Sequence, residues 1–118
     1  MADDTVMRTM LFDFYGELLT EKQREYFDLH YNADLSLAEI AESSGISRQG
    51  VWDIIRRAEE TMRRFEEKTG LVARFAAERD ILAAAREKLA RLETMTDGDA
   101  QRLAREIAAA LQELGHGI

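Results

Sequence analysis

An all-α fold is what this sequence predicts, and three observations predict it. Proline is absent from the 118 residues and glycine occurs seven times, so little interrupts long helical stretches. Apolar residues recur three and four positions apart along most of the chain, the period of helices with one buried face. Residues Leu37 to Ala58, LAEIAESSGISRQGVWDIIRRA, read as a helix-turn-helix. Leu37, Ile40 and Ala41 make a short amphipathic helix, Ser43-Ser44-Gly45 stops it, and Gly45 suits a left-handed turn position where a Cβ would clash. Ile46 points back to the core and Ser47 is a natural N-cap for a second helix. Val51, Ile54, Ile55 and Ala58 pack one side of that helix, leaving the other outward. A plain helical hairpin inside a bundle fits the same pattern without a ligand.

The elements on either side follow in order. Val6 to Tyr15 places Val6, Met7, Met10, Leu11, Phe14 and Tyr15 on one wide face, a first core helix ended by Gly16. Leu18-Leu19 packs across a turn. Thr20 with Gln23 forms a capping box opening a helix from Glu21 to Tyr31, which carries Tyr26, Phe27, Leu29, His30 and Tyr31. Asn32-Ala33-Asp34 is a turn, and Ser36 with Glu39 is a second capping box opening the first helix of the central motif. Residues 1–69 are therefore expected to form a four-helix, helix-turn-helix domain. Residues 70–118 form a C-terminal helical extension. Its first helix, Leu71 to Met95, aligns Leu71, Phe75, Leu82, Ala85, Leu89 and Leu92 in a stripe interrupted by Glu78. Thr96-Asp97-Gly98-Asp99 breaks it, with Asp97 or Asp99 able to cap the next helix. Ala100 to Leu114 then places Leu103, Ile107, Leu111 and Leu114 on one face beside Ala104, Ala108 and Ala110, and Gly115-His116-Gly117 terminates it. Two such helices leave apolar surface uncovered. Leu82, Leu89, Leu92, Leu103, Ile107 and Leu111 are the expected dimerisation or partner-docking surface, a two-fold homodimer being the commonest outcome. The alternative is an intramolecular cap on the four-helix core.

Composition narrows the chemistry. With no cysteine, disulfides, thiolate catalysis and Cys-based zinc sites are excluded. His30 and His116 lack partners at ligand spacing, so no metal site is expected, and His30 sits among aromatics as a packing residue. No Ser–His–Asp arrangement or glycine-rich phosphate loop is present, and no cofactor is implied. An enzyme is not expected. MADDTVM carries no basic-then-apolar leader and no stretch approaches a membrane span, which points to the cytoplasm. The net charge is −7, but unevenly spread. Residues 1–35 hold three basic and eight acidic groups and residues 36–46 add two acids, whereas residues 47–69 hold six basic and five acidic groups. The second helix of the central motif is thus the only part with net positive charge, a weak footprint for nucleic acid on an otherwise repelling body.

Opposite the Val51 stripe, at 100° per residue, lie Gln49, Trp52, Asp53, Arg56, Glu60 and Arg63, with Arg48 and Arg57 at the margins. Ser47, Arg48, Gln49, Trp52, Arg56, Arg57 and Arg63 are the candidate nucleic-acid-binding residues. Arg48 and Gln49 sit at the end that reaches base edges in such motifs, and Arg56 and Arg63 could hold phosphates. Asp53 and Glu60 oppose that role. The charges equally form i,i+4 pairs of a solvated helix: Asp53–Arg57, Glu59–Arg63, Glu60–Arg64 and Arg63–Glu67. Trp52 is either a hairpin-packing residue or a hot spot for a partner.

LLTEKQREYFDLHYNADLSLAEIA (Leu18 to Ala41), SRQGVWDIIRRAE (Ser47 to Glu59) and EEKTGL (Glu66 to Leu71) resemble the YlxM family of helix-turn-helix proteins and, more loosely, region 4 of bacterial sigma factors. The resemblance covers about residues 5 to 75. It departs at Trp52, where many members have tyrosine, and at Gly50, where alanine is expected; glycine inside a helix costs about 1 kcal/mol. What the resemblance implies is a sigma-region-4-like, winged-helix-like domain in a regulatory protein of the signal recognition particle pathway. Its partners there would be that particle's RNA or its GTPase. The residues alone support a binding module, so a DNA-binding transcription regulator and a protein-interaction adaptor without nucleic-acid binding stand beside it.

Overall fold

In a computed structural model, residues 2–116 are described. The helices are α1 (Ala2–Tyr15), α2 (Glu21–Tyr31), α3 (Leu37–Ser44), α4 (Arg48–Thr69), α5 (Leu71–Met95) and α6 (Gly98–His116), with a single 3-10 turn over Gly16–Leu18. The fold is all-α. No strand occurs among the described residues, so α4 is followed by a helix and not by the β-wing that a winged-helix relationship implies. The chain divides into two compact units, residues 1–72 and 73–118.

Local chemistry sets the starts of α2, α3 and α4. Thr20 Oγ1 accepts from the Gln23 N–H while Gln23 Oε1 accepts from the Thr20 N–H. Ser36 and Glu39 make the same reciprocal pair at the head of α3, at 3.1 and 2.8 Å. Those bonds favour the ionised Glu39 carboxylate and hold it below the usual range. Gly45 ends α3 in the left-handed region at φ 77°, and Ser47 caps α4 by accepting from the Gly50 N–H at 3.0 Å.

The core of the first unit joins Leu11, Tyr15, Leu19, Tyr26, Phe27, Ile40, Ala41, Val51, Ile55, Ala58, Met62 and Val72. Phe27 is its largest fully buried side chain, stacked 5.3 Å from Phe12 and tilted 4.8 Å from Tyr31. Several expected contacts fall elsewhere. Helix α1 begins at Ala2 and buries Leu11 and Tyr15, with Phe12 half-buried, whereas Val6 and Phe14 face solvent. Leu18 is 64% exposed while Leu19 is buried: the 3-10 turn ends at Leu18, and the backbone turns extended at Leu19. At the head of α5 two adjacent residues also divide. Leu71 is exposed, and Val72, 1% exposed, completes the core of the first unit.

A hydrogen-bonded chain fixes that last contact. The Tyr15 hydroxyl donates to Glu66 Oε1 at 2.6 Å and accepts from the Thr69 hydroxyl. Glu66 Oε1 also accepts from the Val72 N–H at 2.9 Å, and Thr69 Oγ1 accepts from the Leu71 N–H. Gly70, left-handed at φ 64°, makes the turn between them. Burial, then the Glu66 bond, pushes the Tyr15 hydroxyl above its ordinary 10.0. The folded state therefore favours the protonated phenol. Stability from this group is fully present below about pH 10 and is lost as pH rises through the raised value. Chemical-denaturation midpoints measured from pH 8 to 11 should fall with pH in the native chain, and less steeply in Tyr15→Phe.

In the second unit α5 and α6 run back along each other. Arg105 Nε lies 2.6 Å from Glu93 Oε1, Gln101 Nε2 donates to the Glu93 carbonyl, and Arg86 donates to Gln112 Oε1. Ala104, 2% exposed, is the one fully buried side chain of this unit among the described residues. Of the two expected caps, Asp97 directly precedes α6 and its carbonyl accepts from the Gln101 N–H, whereas Asp99 lies in the first turn and pairs with Arg102. Of the expected docking residues, Leu82, Leu89 and Leu111 are half-buried by the hairpin, and Leu92, Leu103 and Ile107 are exposed. Ile81 and Met95, off the expected stripe, are more exposed still.

Candidate nucleic-acid interface

Helix α4 presents two sides to solvent and its ion pairs distinguish them. Its buried side, Val51, Ile55, Ala58 and Met62, rests on the first unit's core, with Ile54 and Phe65 half-buried beside it. At the N-terminal end Leu37, Ser47, Arg48, Gln49 and Trp52 line an open crevice of about 520 Å³. Arg48 and Gln49 are exposed there, and Trp52 is 37% exposed. Arg48 has no ion-pair partner among the described residues. Ser47 lines the crevice but its hydroxyl is occupied as the cap, so its role in the site is to start the helix that carries the others. Ser47→Ala should lower stability by about 1 kcal/mol in urea denaturation, without loss of helical signal in the remaining native state. A Cβ on Gly50 would meet Ser47 Oγ at 3.2 Å and the Ile46 side chain at 3.6 Å, so glycine here gives clearance around the cap.

Trp52 also lines a second crevice of about 180 Å³ with Arg8, Arg56, Glu59, Glu60 and Arg63. The expected phosphate ligands in it are already engaged. Arg56 Nη1 lies 2.5 Å from Glu60 Oε1, and its Nη2 lies 3.4 Å from Asp53 Oδ1. Arg63 Nε lies 3.0 Å from Glu59 Oε2, whose other oxygen accepts from Arg8 Nε of α1 at 2.7 Å. The Glu59 bond raises the Arg8 pKa further, and the same guanidinium sits 4.9 Å from the centre of the Tyr31 ring. Of the four expected i,i+4 pairs, only Glu59–Arg63 forms. Arg56 takes both Asp53 and Glu60, which leaves Arg57 and Arg64 exposed and without ion-pair partners among the described residues. Arg8 is the participant that sequence reasoning missed, since its partner lies 51 positions away.

His30 proves to be a turn-fastening residue. Its Nδ1 lies 2.8 Å from the Leu35 carbonyl and its ring meets Tyr31 edge-on at 4.8 Å. No group of three or more His, Cys, Asp or Glu residues able to hold a metal occurs among the described residues, and none of their helices is long and apolar enough to cross a membrane.

The profile of the family described as "Putative helix-turn-helix protein, YlxM / p13 like" matches residues 2–101. A UPF0122 protein of Thermoanaerobacter sp. (strain X514) is 57% identical over 74 residues, 63% of this chain and 63% of that relative's length. One from Shouchella clausii is 47% identical over 90 residues, covering 76% of this chain and 83% of its own. A third, from Halalkalibacterium halodurans, is 42% identical over 114 residues, covering 97% and 96%. The likeness thus runs past residue 75, through α5 in the family profile and into α6 in the last relative. This chain belongs to the YlxM/p13-like family of helix-turn-helix proteins.

Proposed function

We propose that this chain is a non-enzymatic regulatory module that binds nucleic acid through the N-terminal end of α4, acting in the signal recognition particle pathway. The observation that carries the binding role is the crevice at that end. An unpaired guanidinium (Arg48), an amide (Gln49) and a partly exposed indole (Trp52) surround one open space, each able to contact a base edge or base face. The pathway is the one the family resemblance implies, so the particle's RNA and its GTPase are the first partners to try. The test is a titration of the full chain against random duplex DNA, signal recognition particle RNA and the particle's GTPase, each at low and high salt. Tight, salt-sensitive binding to the RNA, or firm binding to the GTPase, upholds the regulatory reading. Binding to duplex DNA alone replaces it with a transcription regulator, and silence with all three replaces it with a protein adaptor.

A second copy of the chain is the proposed partner for the second unit. Leu92, Leu103 and Ile107 are 44%, 57% and 43% exposed on helices whose hairpin buries little besides Ala104. Two paired hairpins would make a four-helix bundle and cover that surface. The unit holds seven basic and eight acidic groups, so self-association meets little net repulsion. Sedimentation equilibrium should give a dimer for the native chain and a monomer for Leu103→Ser/Ile107→Ser; an unchanged mass in the variant would place the contact elsewhere.

A further inference from the structure

We propose that Arg57, Arg64 and Lys68 form a phosphate-tracking ridge on the flank of α4, so that the helix lies along a nucleic-acid backbone by its side and does not enter a groove head-on. The proposal rests on the nucleic-acid reading above and adds to the Trp52 crevice a second contact surface on the other flank of the same helix. Down the middle of the outward face run Asp53, Glu60 and Glu67, each seven residues from the last and so within about 20° of one line. A helix pushed straight into a groove would bring that carboxylate line against phosphate. On one side of it, Arg56 and Arg63 are matched by Asp53, Glu60 and Glu59. On the other side, roughly 100° round the helix from Arg56 and Arg63, stand Arg57, Arg64 and Lys68. All three are exposed and none has an ion-pair partner among the described residues.

Asp53 and Glu60 are spaced to neutralise Arg57 and Arg64, yet their carboxylates turn to Arg56. Arg56 therefore acts as a clip that keeps acid off the ridge. Seven and then four residues separate the three cations, so they rise over about 16 Å of helix. That is a straight run of positive charge, fitted to a linear polyanion, and its two guanidinium forks match phosphate oxygens. Contacts of this kind position a duplex without reading its sequence.

The experiment measures binding of the full chain to two unrelated duplexes of about 20 base pairs, and to poly-glutamate, from about 50 to 200 mM salt. The native chain, Arg57→Ala/Arg64→Ala and Arg63→Ala are compared, with circular dichroism confirming equal folding of these surface variants. The ridge predicts that the two duplexes bind within a few-fold of each other. It predicts that Arg57→Ala/Arg64→Ala weakens binding roughly ten- to a hundred-fold near 0.1 M salt and lowers the log–log salt slope by about 1.8. Arg63→Ala should weaken binding far less, since its guanidinium is already held by Glu59. Duplex binding that survives Arg57→Ala/Arg64→Ala with its slope intact overturns the ridge and leaves nucleic-acid binding standing. Tighter binding to poly-glutamate than to either duplex overturns the choice of partner. Absence of duplex binding by the native chain at the lowest salt overturns the ridge and, with it, duplex DNA as a partner.

Discussion

Phe27→Ala should cost about 3 to 5 kcal/mol, the largest single loss available in the first unit. The ring is 1% exposed and held between Phe12 and Tyr31, so truncation removes the buried area and leaves a cavity that two rings must collapse to fill. A unit of this size has roughly 4 to 11 kcal/mol of stability in total, so the variant should unfold at a much lower urea concentration or be partly unfolded in buffer. Leu18→Ala supplies the contrast. Leu18 is 64% exposed, and its truncation should change the midpoint by less than about 0.5 kcal/mol. If the two variants lost similar amounts, the packing of α1 and α2 described here would be wrong.

The second large effect is expected at Glu66. Its Oε1 accepts from both the Tyr15 hydroxyl and the Val72 N–H, and Glu66→Ala would leave two donors at a nearly closed surface without their acceptor. A loss of about 2 to 3 kcal/mol in denaturant midpoint is expected. Glu66→Gln keeps an acceptor oxygen in the same place and should recover most of it. Recovery by glutamine separates the hydrogen-bonding role from a need for negative charge. Failure of glutamine to rescue would show that charge at this position matters more.

What the sequence made legible was local. The two capping boxes, the left-handed Gly45 and the Ser47 cap each depend on residues three positions apart or fewer, and all lie where the spacing placed them. The helical period likewise located the buried stripe of α4. Pairs such as Arg8–Glu59 and Tyr15–Glu66 join positions 51 apart, and no periodicity announces them. Their effect on the candidate site is direct. The charges of α4 admit several i,i+3 and i,i+4 pairings of similar strength, and tertiary placement selects among them. Arg56 and Arg63 thereby lose their freedom, while Arg57 and Arg64 keep theirs. Other apolar residues fell outside the core: Val6 and Phe14 on α1, and Leu18 and Leu71 at a three-residue turn and a helix start, where no period tells inside from outside.

Trp52 is the chain's single tryptophan, and it stands at both crevices of α4. The intrinsic emission of the protein therefore originates at the candidate site. With the indole 37% exposed, its spectrum in the folded state should lie between those of a buried and a fully solvated ring. A base stacked on it would quench that emission, whereas a polyanion held only along the Arg57 flank would leave it nearly unchanged. Light from one side chain thus reports which side of a single helix is occupied.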